Sequence, residues 1–135
     1  IGWRAHPDYR GSQSIDAVAY GSLSGVDHPG RAFLAQVIAI RYDGPKSKAA
    51  ASLVPLGNAA LTQRARVIGA LFRVAYPMTA AMPGVLPRIH FELEAETLSL
   101  VLPSDLEFLD GEHLQNRLDT FAGVAGFKSA KVRVL

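Results

Sequence analysis

Two short stretches hold most of the residues able to do chemistry. "AHPDYRGSQS" (5–14) and "VDHPGRAF" (26–33) each set a His-Pro step close to an Asp and an Arg. Three uses fit those residue types: ligation of a metal ion, contact with a phosphate or similar anion, and punctuation of helices.

For the metal use, His6, Asp8, Asp27 and His28 offer the nitrogens and carboxylates with which His-Asp phosphohydrolases fix an ion and acidify its bound water. The spacing argues against it. Pro7 and Pro29 put both histidines at loop-to-helix junctions, no i, i+4 pair lies within a helix, and residues 27–28 read Asp-His rather than His-Asp. No metal site is expected in this chain.

The anion use asks for less. A helix N-terminus presents free N–H groups and a partial positive charge, and each stretch adds an Arg at a predicted helix start. The candidate phosphate-contacting residues are Arg10, Arg31, His6 and His28, extended by Arg4, Arg66 and Arg73. A guanidinium can grip two phosphate oxygens at once. Beside this stands a plain structural use, in which Arg10 pairs with Asp8, Arg31 pairs with Asp27, and the prolines only open helices. Tyr9 is open in the same way, to a ligand hydrogen bond or to packing over a helix start.

Other catalytic kits are missing from the sequence. There is no Gly-rich phosphate loop of the Walker type, no G-x-S-x-G elbow and no cysteine. Glu92, Glu94 and Glu96 fall on the outward face of a predicted hairpin, where a carboxylate row is ordinary solvated surface. No catalytic residue is assigned. Nucleic acid is not an expected partner, because the aromatic residues are few and mostly assigned to cores.

The elements that must position these residues change character along the chain. Ile15, Val18, Ala19 and Leu23 predict a helix of about twelve residues, capped by Ser12 and stopping near Ser24-Gly25. A second helix starts at Asp27 or His28 with Pro29 in its first turn. It is apolar on nearly every side from Phe33 to Ile40 and ends at Gly44-Pro45. Residues 46–58 read as a loop. A long helix follows from Ala59 to Ala80, with Leu61, Ala65, Ile68, Leu71, Phe72 and Ala75 as its core face. Arg66 and Arg73 share the opposite stripe, Gly69 between them invites a close approach, and Pro77 should end or kink the helix.

"AMPGVLP" (81–87) is the best boundary, and beyond it the period falls from 3.6 to 2. Ile89, Phe91 and Leu93 alternate with polar residues, as do Leu98, Leu100 and Leu102, which predicts two strands in a hairpin. "SDLE" (104–107) is a possible capping box. Leu114, Leu118, Phe121 and Ala122 mark a helix ending near Gly123 or Gly126, and Val132 and Val134 mark a last strand. The fold class expected is α+β: a helical part over 1–84, then a small β-β-α-β part over 85–135.

Composition bounds the rest. The chain has 135 residues, 49% of them hydrophobic, enough for a core. Its net charge of +2 conceals a division: residues 1–87 hold nine Lys/Arg against four Asp, and residues 88–135 hold five against eight acids. An anionic partner is therefore expected for the first part alone. No run approaches eighteen apolar residues, so no membrane span is expected. The start, Ile1-Gly2-Trp3-Arg4, has no initiator Met and no signal-peptide order, and reads as a cut fragment. With no cysteine present, the cytoplasm is the default compartment.

"GWRAHPDYRGSQSIDAVAYGSLSGVDHPGRAFLA" resembles the start of the C-terminal region in exopolyphosphatases of the Ppx/GppA type, particularly α-proteobacterial forms. "ARVIGALFRVAYPMTAAMPGVLP" is similar to that region's long helix, and "IHFELEAETLSLVLPSDL" to its terminal hairpin. The resemblance implies an HD-like helical domain followed by a small α/β domain. It also implies a parent enzyme that removes terminal phosphate from inorganic polyphosphate or from guanosine pentaphosphate. In that family the phosphate loops, the Mg²⁺ site and the catalytic glutamate lie in two N-terminal actin-like domains outside this sequence. The HD-like dyad position falls just before Ile1. By this resemblance the chain is an accessory part, inactive alone, contacting polyphosphate, its own N-terminal domains or a second copy. A metal-dependent HD phosphohydrolase and a purely structural dimerisation or docking module are the alternatives.

Overall fold

A computed structural model describes residues 4, 6–79 and 83–135. Residues 81 and 82, in the boundary stretch, lie outside the described residues, as does Ala80, the expected end of the long helix. The chain is α+β and divides into two compact units, residues 1–69 and 70–135.

In the first unit, the turn Pro7–Tyr9 runs straight into α1 (Arg10–Ala19). His6 caps that turn, its Nδ1 accepting from the Asp8 N–H at 3.4 Å, and Pro7 takes the first helical place. The helix thus begins and ends earlier than expected, and Ser12 is inside it rather than at its cap, donating back to the Tyr9 carbonyl at 3.1 Å. Helix α2 (His28–Asp43) is capped by Asp27, which accepts from the Gly30 N–H at 2.8 Å. As expected it is the central helix: Ala32, Ala35, Gln36, Val37, Ala39 and Ile40 are buried, and Gly44 ends it at φ 94°.

The two helices run in opposite directions. Gly11 meets Tyr42, and Ile15 packs on Ala39 and Ile40. Residues 46–58 are more ordered than a loop: Ser47 caps α3 (Lys48–Leu53), accepting from the Ala50 N–H at 3.1 Å, and a turn over Val54–Leu56 follows.

Helix α4 (Ala59–Thr79) crosses from the first unit into the second and carries Pro77 within it, so the proline does not stop it. Its buried positions are Ala65, Gly69, Ala70, Val74 and Met78, whereas Phe72 is exposed. Apolar residues lie on several sides of this helix, so periodicity left its orientation open. The close approach at Gly69 is made by Ile40 of α2.

In the second unit, β1 (His90–Glu94) pairs antiparallel with β2 (Thr97–Leu102), and β3 (Ser129–Val134) pairs parallel with β2. The order β1-β2-β3 makes β2 central, and Leu98 to Leu102 are all buried. Helix α5 (Glu112–Ala125) provides the crossover that a parallel pair requires. Its Leu114, Leu118, Phe121 and Ala122 are buried as expected, Phe121 lies 5.7 Å from Phe91, and Gly126 closes it at φ 93°. The "SDLE" stretch opens a 3-10 turn, Ser104–Leu109, with no side-chain cap. There Asp105 bonds Arg88 at 2.5 Å, and that hydrogen bond holds its carboxyl below the ordinary carboxylate range.

The hairpin turn places Ala95 at φ 51°, where glycine is preferred. Ala95→Gly is expected to stabilise the chain by about 0.5–1 kcal/mol, relief of left-handed strain being partly offset by the freer unfolded glycine. Urea denaturation of the two proteins side by side checks this.

Candidate functional site

The antiparallel pairing of α1 and α2 decides what the two His-Pro stretches can do together. The start of α1 lies beside the end of α2, because Gly11 faces Tyr42, and the start of α2 lies beside the end of α1, where Arg31 Nη1 donates to the Gly21 carbonyl at 3.4 Å. His6, Asp8 and Arg10 are therefore at one end of the helix pair and Asp27, His28 and Arg31 at the other. Ten residues of α1 separate the ends by about 15 Å. The four residues considered for a metal do not converge, and among the described residues no group of three or more His, Asp or Glu stands as a metal cluster.

At the α2 end, Arg31 Nη2 donates to His28 Nδ1 at 2.5 Å. A guanidinium has only donors, so Nδ1 here must present its lone pair. The pair borders a cavity of about 170 Å3 whose other walls include Ala32, Leu53 and Leu56. Arg31 Nε is buried without a partner. Asp27 is occupied as the helix cap, so Arg31 turns to His28 and Gly21 rather than to Asp27.

At the α1 end, His6 is exposed, with Asp8 Oδ2 3.6 Å from its Nδ1 and the Tyr9 ring 6.0 Å away. Arg4 is exposed and Arg10 half-buried at the first position of α1. Arg66 is exposed on α4 in the first unit. Arg73 is half-buried in the second, and its carbonyl accepts from Arg117 Nη1 at 2.7 Å. Within the first unit the candidates thus do not form one cluster: His28 and Arg31 are joined, and Arg10 is a helix length away from them.

The glutamate row is not a free surface either. Arg133 Nη2 donates to Glu92 Oε2 at 2.5 Å, joining β3 to β1 on the face where β2 carries Ser99 and Val101, and His90 Nε2 lies 3.3 Å from Glu92 Oε1. Glu96 pairs with Lys128 at 2.5 Å.

Sequence reasoning passed over Gln36, Lys46 and Thr62, which meet Arg66 around a second cavity in the first unit. The available signal was a lone Gln in the apolar run from Phe33 to Ile40.

The architecture is that of a two-part α+β domain, a basic helical unit followed by a mixed three-stranded sheet with one helix. Among its described residues no helix is long and apolar enough to cross a membrane. Residues 1–132 match the family model described as exopolyphosphatase, C-terminal, and the chain belongs to that family. Comparison with curated proteins finds no match.

Proposed function

We propose that this chain supplies a polyanion-contacting surface to an exopolyphosphatase. In this reading the helical unit meets inorganic polyphosphate through Arg10 at one end of the α1–α2 pair and through Arg31 with His28 at the other. Arg4 adds charge and His6 an imidazole on the segment that leads into Arg10. Hydrolysis, and the Mg²⁺ it uses, belong to other domains of the enzyme.

The observation that carries the reading is the charge of the helical unit. Residues 1–69 hold eight Lys/Arg against four Asp, and two of those carboxylates are committed to other work. Asp27 accepts from a backbone N–H, and Asp43 accepts from the Ser47 hydroxyl at 2.9 Å. Excess positive charge on the unit raises the local concentration of a polyanion around it. The separation of Arg10 from Arg31 favours an extended chain of phosphates over guanosine pentaphosphate, because a compact group cannot reach both.

The test is binding of long-chain polyphosphate to the whole chain at rising ionic strength. Affinity is expected to fall steeply with salt, and Arg10→Gln with Arg31→Gln to weaken it about tenfold at low salt. Equal binding by the variant, or binding indifferent to salt, overturns the proposal.

A further inference from the structure

A second cavity in the first unit has no place in the reading above. It lies among α2, α3 and the first turns of α4 and measures about 240 Å3. Its walls are mainly aliphatic, Ile40, Ala50 and Val54 among them. Two polar atoms belonging to its lining residues are buried without a hydrogen-bond partner: Nε2 of Gln36, a residue only 1% exposed, and Oγ1 of Thr62. Ser47 is a third polar lining residue, but its hydroxyl is satisfied, donating to Asp43 and accepting from the Ala50 N–H.

A buried donor left unpaired is costly, and native interiors leave few of them. Two on one cavity ask for a partner. The amide nitrogen of Gln36 has only hydrogens to offer, so that partner must be an acceptor, and the Thr62 hydroxyl can donate as well. The charge asked for is negative: Lys46 and Arg66 also line the cavity, both are exposed, and among the described residues neither enters an ion pair. The aliphatic walls then separate organic anions from bare phosphate, since a fully hydrated oxyanion gains nothing against Ile40 and Val54.

We propose that this cavity binds a small organic carboxylate. Its head accepts from Gln36 Nε2 and Thr62 Oγ1 with Lys46 and Arg66 as counter-charges, and its apolar body lies against Ile40, Ala50 and Val54. The size is adequate: an aliphatic cavity of about 150 Å3 admits benzene, so this one has room for a ring and a carboxylate. Such a ligand would sit against α2, the helix on which the first unit is built, and is distinct in chemistry and place from the polyanion contacts of Arg10 and Arg31.

Benzoate is the probe, titrated into the whole chain and followed by calorimetry and by the Gln36 side-chain amide in nitrogen-correlated NMR spectra. Single-site, saturable binding that moves that amide is expected. Gln36→Leu, and separately Lys46→Gln with Arg66→Gln, should each weaken it about tenfold or more, and neutral benzyl alcohol should bind at least about tenfold more weakly. Thr62→Val serves in place of Gln36→Leu if circular dichroism shows that variant unfolded. Arg10→Gln with Arg31→Gln should leave benzoate binding intact, so loss of polyphosphate binding and loss of benzoate binding are separate results. Absence of saturable binding means that water alone fills the cavity and overturns the proposal. Undiminished binding by the variants does the same. So does displacement of benzoate by equimolar tripolyphosphate, which would return Lys46 and Arg66 to the polyanion surface.

Discussion

Leu118→Ala is expected to destabilise the chain by about 2–5 kcal/mol, the range for truncating a fully buried Leu that leaves a cavity. Leu118 has no exposed surface and lies on the face of α5 that also buries Leu114, Phe121 and Ala122. Leu93→Ala is the companion experiment. The alternation of β1 put Leu93 on the same core face as Phe91, yet it is 64% exposed on an edge strand, and its loss should cost no more than about 0.5 kcal/mol. Urea denaturation followed by far-ultraviolet circular dichroism reads both. Similar losses for the two variants would mean that Leu93 is buried in solution and that the edge assignment of β1 is wrong.

The second large effect is one of sign. A Cβ added at Gly69 would stand 2.7 Å from Cβ and Cγ2 of Ile40 and 3.0 Å from the Val37 carbonyl oxygen, whereas one added at Gly123 meets nothing within 4 Å. Both glycines are inside helices, so helix propensity alone favours alanine at each by about 1 kcal/mol. At Gly69 contacts this short put the overpacking of α2 against α4 in the upper part of the usual range, about 2–3 kcal/mol, which exceeds that gain and leaves a net loss of about 1–2 kcal/mol in Gly69→Ala. Gly123→Ala should gain up to about 1 kcal/mol. Thermal denaturation of the two variants against the parent decides the matter, and a stabilising Gly69→Ala would show that α2 and α4 do not pack as described.

The elements easiest to read in the sequence were those whose pattern has one solution. The stripe Leu114, Leu118, Phe121 and Ala122 and the capped start of α2 at Asp27-His28-Pro29 are of this kind, whereas the alternation of β2 marked a strand without showing that Ser99 and Val101 on its other face are buried too. Helix α4 was harder, because Ile68, Leu71, Phe72, Val74 and Tyr76 surround it and no stripe stands out. Its orientation depends on Gly69, whose missing side chain makes room for Ile40 from a helix some thirty positions earlier. The α1 cap was misplaced for a local reason: His6 and Pro7 open a 3-10 turn that passes directly into the helix, and Ser12 no longer marks a beginning.

The candidate site was legible as a set of residue types but not as an arrangement. Both Arg-bearing helix starts were visible, and nothing in their spacing told whether they adjoin. An antiparallel helix pair puts successive starts at opposite ends, and that converts an apparent cluster into two contacts about one helix α1 apart. The same packing separates His6 and Asp8 from Asp27 and His28. Gln36 was invisible for a related reason, since an amide in an apolar run shows its unmet donors only once the neighbouring helices have closed around it.

By itself the sequence determined the α+β class, the order of the longer helices and the strands, the uneven charge and the family, because these follow from local period, composition and residue identity, while the short α3 was missed. Tertiary structure alone decided which basic residues stand together, which face of α4 is buried and where a cavity with unpartnered polar atoms opens. Those depend on contacts between segments far apart in the chain, and such contacts are fixed by packing shape rather than by the residues' own preferences.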